Sequence, residues 1–187
     1  LSHAPLYLVS FSPSKRMVEN GVTRYSHILL CMENYIIRVR SLYDRTLQLV
    51  NVIFRIYDPP DQITHALIKN NLHVAHSKLP GALQKLKKIT DRYYEDRNKI
   101  IHRECFQEDD LRHLELLTIA SVACPDLEED LKFFSKVYIR DKALQLEKTN
   151  SEVFSGIGDI FNLLLQQYQE QKANDVKIYG EIKVDRE

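Results

Sequence analysis

The sequence contains no tryptophan, only five glycines and six prolines, and no excess of either charge, since Lys+Arg and Asp+Glu both count 26. Each shortage excludes something. A protein that coats nucleic acid non-specifically needs surplus positive charge to release counterions, so any nucleic-acid contact here must be local. Three cysteines, Cys31, Cys105 and Cys124, form an odd set without C-x-x-C spacing. They exclude a disulfide frame or a cysteine zinc site and are expected as reduced, small apolar core residues on helices of a cytosolic protein. No apolar run approaches the roughly 18 residues that cross a bilayer, so no membrane partner is expected. Residues 1–11 lack the basic start and long apolar run of a signal peptide. A cytoplasmic location follows as the expectation. The chain starts at Leu1 rather than Met, as expected of a trimmed or partial chain. Walker, G-x-G-x-x-G, G-x-S-x-G and H-E-x-x-H patterns are absent.

The composition that is present, 44% hydrophobic and 28% charged over 187 residues, suits a folded chain with a real core. One domain over 1–187 is expected, with its core over about 14–174. The prolines punctuate it at helix edges: Pro13, the Pro59-Pro60 pair, Pro80 and Pro125.

Between them the apolar spacing is helical. Ile28, Met32, Tyr35, Ile36, Val39, Leu42, Thr46, Leu49, Ile53 and Tyr57 share one stripe, predicting a long helix from 14 or 23 to 57. A short helix is expected over 63–75, and another from 79 or 80 to about 102, with Leu83, Leu86, Thr90, Tyr93, Arg97 and Ile100 on one face. Glu108, Asp109 and Asp110 suit the first turn of a helix running to 123, because carboxylates favour the positive end of the helix dipole. After Pro125, a helix through Leu127, Leu131, Phe134 and Tyr138 continues towards 148. Asn150 or Ser151 is then a natural cap for a successor carrying Val153, Phe154, Ile157, Ile160, Phe161, Leu164, Leu165 and Tyr168. Gly156 and Gly158 inside that successor are expected to mark a kink or a close helix crossing. The ends read differently. Residues 6–11 are β-friendly, and Val176, Ile178, Ile182 and Val184 fall at strand spacing, so a small two-stranded ribbon of 6–11 with 176–184 is expected. The fold class is all-α: an antiparallel helical bundle with a long N-terminal helix and short connections.

The chemically informative run is Arg97-Asn98-Lys99-Ile100-Ile101-His102. Stepping back from Arg97 by threes and fours reaches Tyr93, Thr90, Leu86 and Leu83, so its guanidinium comes off the packed face, where an unpaired charge is costly. Asn98 and His102 are four apart and share another face, whereas residues five apart differ by about 140° around a helix. For Arg97 and His102 to converge on one substrate, the helix must end near His102 or two copies must meet. The run resembles the R-x(4–6)-H motif of HEPN domains, a prokaryotic family of helical ribonucleases and toxins. Asn98 fits the polar residue, often Asn, that follows the arginine in that family. The stretches 33–38 and 42–45 look like the first helix of larger HEPN-like proteins, and the likeness covers roughly 20–170.

That resemblance implies metal-independent RNA cleavage, without cofactor, in a cleft between two protomers of a homodimer. Arg97 and His102 would be catalytic and Asn98 would support them, in a stress-response, defence or toxin–antitoxin setting. Neither an antitoxin nor a nucleotidyltransferase partner is identified by the sequence. Some HEPN toxins carry a modifiable tyrosine two residues after the histidine; Glu104 stands there in this chain. The alternative is a non-catalytic HEPN-like binding or structural protein, with Arg97 paired to a carboxylate such as Glu33 or Asp44. His65, His73 and His76 lack a convincing further ligand for a metal. Lys85, Lys87 and Lys88 read as a solvated helix face or as an RNA approach to Arg97.

Overall fold

The structure is a computed structural model that describes residues 1–102 and 104–184, with side chains described as far as 177. Nine α-helices follow in order among the described residues: α1 Ala4–Val9, α2 Lys15–Glu19, α3 Arg24–Ile53, α4 His65–Asn70, α5 Leu72–Ala75, α6 Leu79–Thr90, α7 Tyr94–Ile101, α8 Asp109–Ala123 and α9 Glu128–Val184. Two 3-10 turns, Asp91–Tyr93 and Pro125–Leu127, precede α7 and α9.

The expected terminal ribbon is not formed: residues 6–9 and 176–184 are helical. In α1, Pro5 and Leu8 are buried at helical spacing while Leu6, Tyr7 and Val9 face out. The open carbonyls at its end are taken up by α3. Arg24 donates to the carbonyls of Val9 and Phe11, each at 3.2 Å, and the His27 ring nitrogen meets the Tyr7 carbonyl at 2.9 Å. Cationic and polar side chains are favoured at that end of a helix. Residues 176–184 continue the backbone of α9, and the spacing of four between Ile178 and Ile182 suits a helix as well as a strand.

The long N-terminal helix begins later than Ser14 because Ser14 caps a separate helix, accepting the Met17 N–H at 3.3 Å. That helix ends before Gly21, at φ +73°, a conformation glycine adopts freely. Thr23 and Ser26 then exchange side-chain and backbone bonds of 2.9 and 3.1 Å to start α3. At the far end, Asn51 holds both backbone groups of Asp58, with bonds of 3.0 and 3.1 Å. The turn enclosed holds Arg55 and Tyr57 at φ 53° and 62°, which ends the helix short of Tyr57. The expected helix over 63–75 is two pieces, because Asn71 leaves the helical conformation and caps α5 by accepting from His73 and Val74.

The continuous helix expected from Leu79 to His102 is likewise interrupted by the 3-10 turn at Asp91–Tyr93. By contrast, the two helices expected after Pro125 are one 57-residue helix. Asn150 does not cap a successor. It is buried, accepting from the Tyr35 hydroxyl and donating to the Leu1 carbonyl, both at 3.1 Å. Gly156 and Gly158 lie within unbroken α9, and a β-carbon at Gly156 would meet Leu86 at an ordinary 3.6 Å. Close crossing is therefore not what that position requires.

The chain divides into two compact units: Leu1–Ser41 with Thr90–Glu152, and Leu42–Ile89 with Val153–Glu187. The core of the first holds Leu8, Ile28, Met32, Tyr35, Val39, Leu111, Leu114, Tyr138, Ile139 and Leu146. In the second, Tyr43, Leu47, Val50, Ile68, Leu83, Leu86, Val153 and Ile160 are buried. The cysteines depart from expectation. Cys31 alone is partly buried, its thiol pushed upward in pKa by burial, whereas Cys105 and Cys124 lie outside the helices and are exposed.

Candidate active site

α7 has the sequence Tyr-Glu-Asp-Arg-Asn-Lys-Ile-Ile and contains no fully buried residue. Glu95 and Asp96 occupy its first turn and Lys99 its last, the order that complements the helix dipole. It stops at Ile101. His102 is the C-cap, at φ −84° and ψ 17°, and its N–H bonds the Asn98 carbonyl at 3.0 Å. The Glu104 N–H then returns to the Lys99 carbonyl at 3.0 Å, the longer return bond of a Schellman-type helix end.

This places the three motif residues differently. His102 is exposed at the helix end, whereas Arg97 and Asn98 are half-buried. Arg97 Nη1 donates to Asn98 Oδ1 at 3.3 Å, and Arg97 Nε is buried without a hydrogen-bond partner. Of the carboxylates named for the alternative structural pairing, Glu33 does not pair with Arg97. Glu33 instead accepts the backbone N–H of Phe106 at 3.1 Å, fastening the chain just beyond the motif to α3. This fastening was missed in the sequence, because a glutamate on a half-exposed helix face carries no sign of a loop amide 73 residues away.

A polar cavity of about 420 Å³ touches α7 at Asp96 and is lined by Arg92, Tyr93, Phe106, Glu108 and Lys142 among others. Arg97, Asn98 and His102 do not line it. Two of its cations are held in ion pairs. Lys142 Nζ meets Glu108 at 2.5 Å, and Arg92 meets Glu152 at 2.7 Å. Tyr138 lies 5.7 Å from the Lys142 ammonium; burial first, and the Glu108 carboxylate second, push its phenol above the ordinary tyrosine range.

Two of the three histidines weighed as metal ligands have other work. His65 Nδ1 bonds the buried Tyr43 hydroxyl, and His76 Nδ1 meets the Leu72 carbonyl at 2.7 Å. Among the described residues, no group of three or more His, Cys, Asp or Glu side chains is arranged to hold a metal. Of the lysines on α6, Lys85 and Lys88 are exposed and Lys87 is half-buried with a partner. None of the described helices is long and apolar enough to cross a membrane.

Comparison with known proteins gives a family match. A family model described as HEPN_Cthe2314, "-like HEPN", matches residues 10–152, which include all of α7 and its C-cap. No match was found among curated proteins or among solved structures. On the strength of that family match, which spans most of the sequence, the chain belongs to the HEPN family.

Proposed function

We propose that this HEPN protein is a metal-independent endoribonuclease of stress response or defence, working in the cytoplasm. Its site is formed by Arg97, Asn98 and His102 and completed by a second protomer. The observation that carries this reading is the position of His102, exposed at the end of α7 and preceded by the half-buried Arg97. A polymer reaches an imidazole there without any opening of the core.

The chemistry suits these groups. The ribose 2′-hydroxyl attacks the adjacent phosphorus, and its proton passes to an imidazole, the side chain suited to proton exchange near neutral pH. The O2′–P bond forms and the P–O5′ bond breaks, with the 5′ oxygen taking up a proton. The products are a 2′,3′-cyclic phosphate and a 5′-hydroxyl. A guanidinium stabilises the growing negative charge on the phosphoryl oxygens. Arg97, whose described partner is the neutral Asn98 side chain, keeps its charge available for this role. With His102 exposed at the helix end and Arg97 half-buried before it, a two-fold partner supplies the missing half of each site.

A second reading, a non-catalytic HEPN-like binding protein, is favoured by the acidic neighbours Glu95, Asp96 and Glu104, which repel RNA. Incubation with single-stranded RNA in excess chelator separates the two. The nuclease yields cyclic-phosphate ends that vanish in Arg97→Ala and His102→Ala, and the binding protein yields none.

A further inference from the structure

A groove of about 830 Å³ in the first unit is separate from α7 and is lined by residues of α9 with Val9 of α1 and Arg24 of α3. Its apolar wall includes Leu131, Phe133, Val137 and Leu144, of which Phe133 is 71% and Leu144 59% exposed. Single exposed apolar residues are ordinary, but large ones converging on a concavity are not. The charged residues in the lining are Arg24, Lys132, Lys136 and Arg140, and no carboxylate is among them.

These cations are differently held. Arg24 is fixed by the Val9 and Phe11 carbonyls and stands 5.4 Å from the Phe11 ring centre. Lys132 leans back to Glu128 at 2.7 Å and Arg140 to Asp141 at 3.0 Å, exposed pairs that exchange readily for a better-placed partner. Lys136 projects from the same helix between them. Phe133, Val137, Arg140 and Leu144 follow one another at spacings of four, three and four, the period of a helix-pairing seam. From 131 to 144 the seam runs about 20 Å, three to four helical turns.

We propose that this groove docks an amphipathic helix of a partner protein, with apolar residues toward Phe133, Val137 and Leu144 and flanking Glu or Asp toward Lys132, Lys136 and Arg140. Charge complementarity selects the acidic flanks, and the extended concave apolar floor selects a rod-shaped helix over a flat anionic bilayer. The predominantly aliphatic floor offers RNA little base-edge recognition. This docking does not depend on the nuclease reading, since Arg97, Asn98 and His102 lie outside the groove.

The test uses the full chain and a labelled synthetic helix of about 18 residues, with leucines at i, i+3, i+4 and i+7 and glutamate flanks. A matched peptide with lysine flanks is the control, and binding is read by fluorescence anisotropy. Phe133→Ser and Lys136→Glu, both at exposed positions, are expected to keep the wild-type circular dichroism and Tm. The proposal expects the acidic peptide to bind, to weaken with added salt, and to lose at least about tenfold in affinity with either substitution. No binding of the acidic peptide, or equal binding of the lysine-flanked control, overturns it. So does indifference to both substitutions. Displacement of the peptide by phosphatidylglycerol vesicles or by oligouridine reassigns the groove to a membrane or to RNA. A sedimenting dimer dissociated by Phe133→Ser reassigns it to a second copy of this chain.

Discussion

The N–H of His102 bonds the carbonyl of Asn98 at 3.0 Å, while the side chain of the same Asn98 accepts from Arg97 at 3.3 Å. Asn98 therefore links the two residues assigned to catalysis, one through its backbone and one through its amide. Asn98→Ala keeps the first link and removes the second. RNA cleavage by this variant is expected to fall by about tenfold, a loss of orientation rather than of a reacting group. Its Tm should remain within about 2 °C of wild type. Unchanged cleavage in a quantitative assay would remove Asn98 from the site.

Glu33 accepts the Phe106 N–H from across the first unit. Glu33→Ala should lower stability by about 1 kcal/mol in urea unfolding, the usual worth of one such bond. It should also increase amide exchange at Phe106. Glu33→Gln retains an acceptor oxygen and should recover most of both. Equal effects of the two substitutions would mean that charge, not the bond, is what matters at Glu33.

Tyr57 holds a left-handed backbone at φ 62° and is 71% exposed. A non-glycine residue pays about 1–2 kcal/mol there, and glycine pays back part of that in unfolded-chain entropy. Tyr57→Gly should therefore stabilise the protein by several tenths of a kcal/mol to about 1 kcal/mol. Thermal and urea unfolding measure the shift, and a loss of stability would mean that the tyrosine ring contributes more than its exposure suggests.

The bond from Arg55 holds the Asp175 carboxyl below its ordinary pKa. A depressed carboxyl stabilises the fold above its unfolded pKa, near 3.9, and that contribution is lost as pH falls through the lower folded value. At the opposite limb, burial raises the phenols of Tyr35 and Tyr138. Their contribution is complete below the unfolded tyrosine pKa near 10 and declines as pH rises beyond it. In a Tm profile, Asp175→Asn should lower stability at neutral pH and flatten the acid limb below about pH 4. Tyr138→Phe should flatten the alkaline limb above about pH 10. Parallel profiles for wild type and both variants would contradict these assignments.

Much of this was legible because it was local. Glu108 to Asp110 mark the start of α8, Pro125 opens the turn that leads into α9, and a helix end near His102 is one of the two conditions the motif spacing sets, the other being a second copy. What misled the sequence reading was distant. Asn150 has the chemistry of a cap, yet its amide is claimed by Tyr35, 115 residues earlier, so α9 runs on unbroken. The β-friendly residues of α1 are held helical by Arg24 and His27, whose reach across 15 and 20 residues leaves no local pattern. For the same reason, spacing placed Arg97 on the packed face but could not show that Glu33 is committed to Phe106.

The central claim is that Arg97 and His102 cut RNA without metal, and one measurement tests it most directly. Wild type, Arg97→Ala and His102→Ala are incubated with single-stranded RNA in excess EDTA, and the new ends are identified by mass spectrometry. The account predicts 2′,3′-cyclic phosphate and 5′-hydroxyl ends from wild type, with rates reduced about 100-fold or more in each variant of unchanged Tm. Wild-type rates in both variants, or no cleavage by the wild-type protein itself, would contradict it.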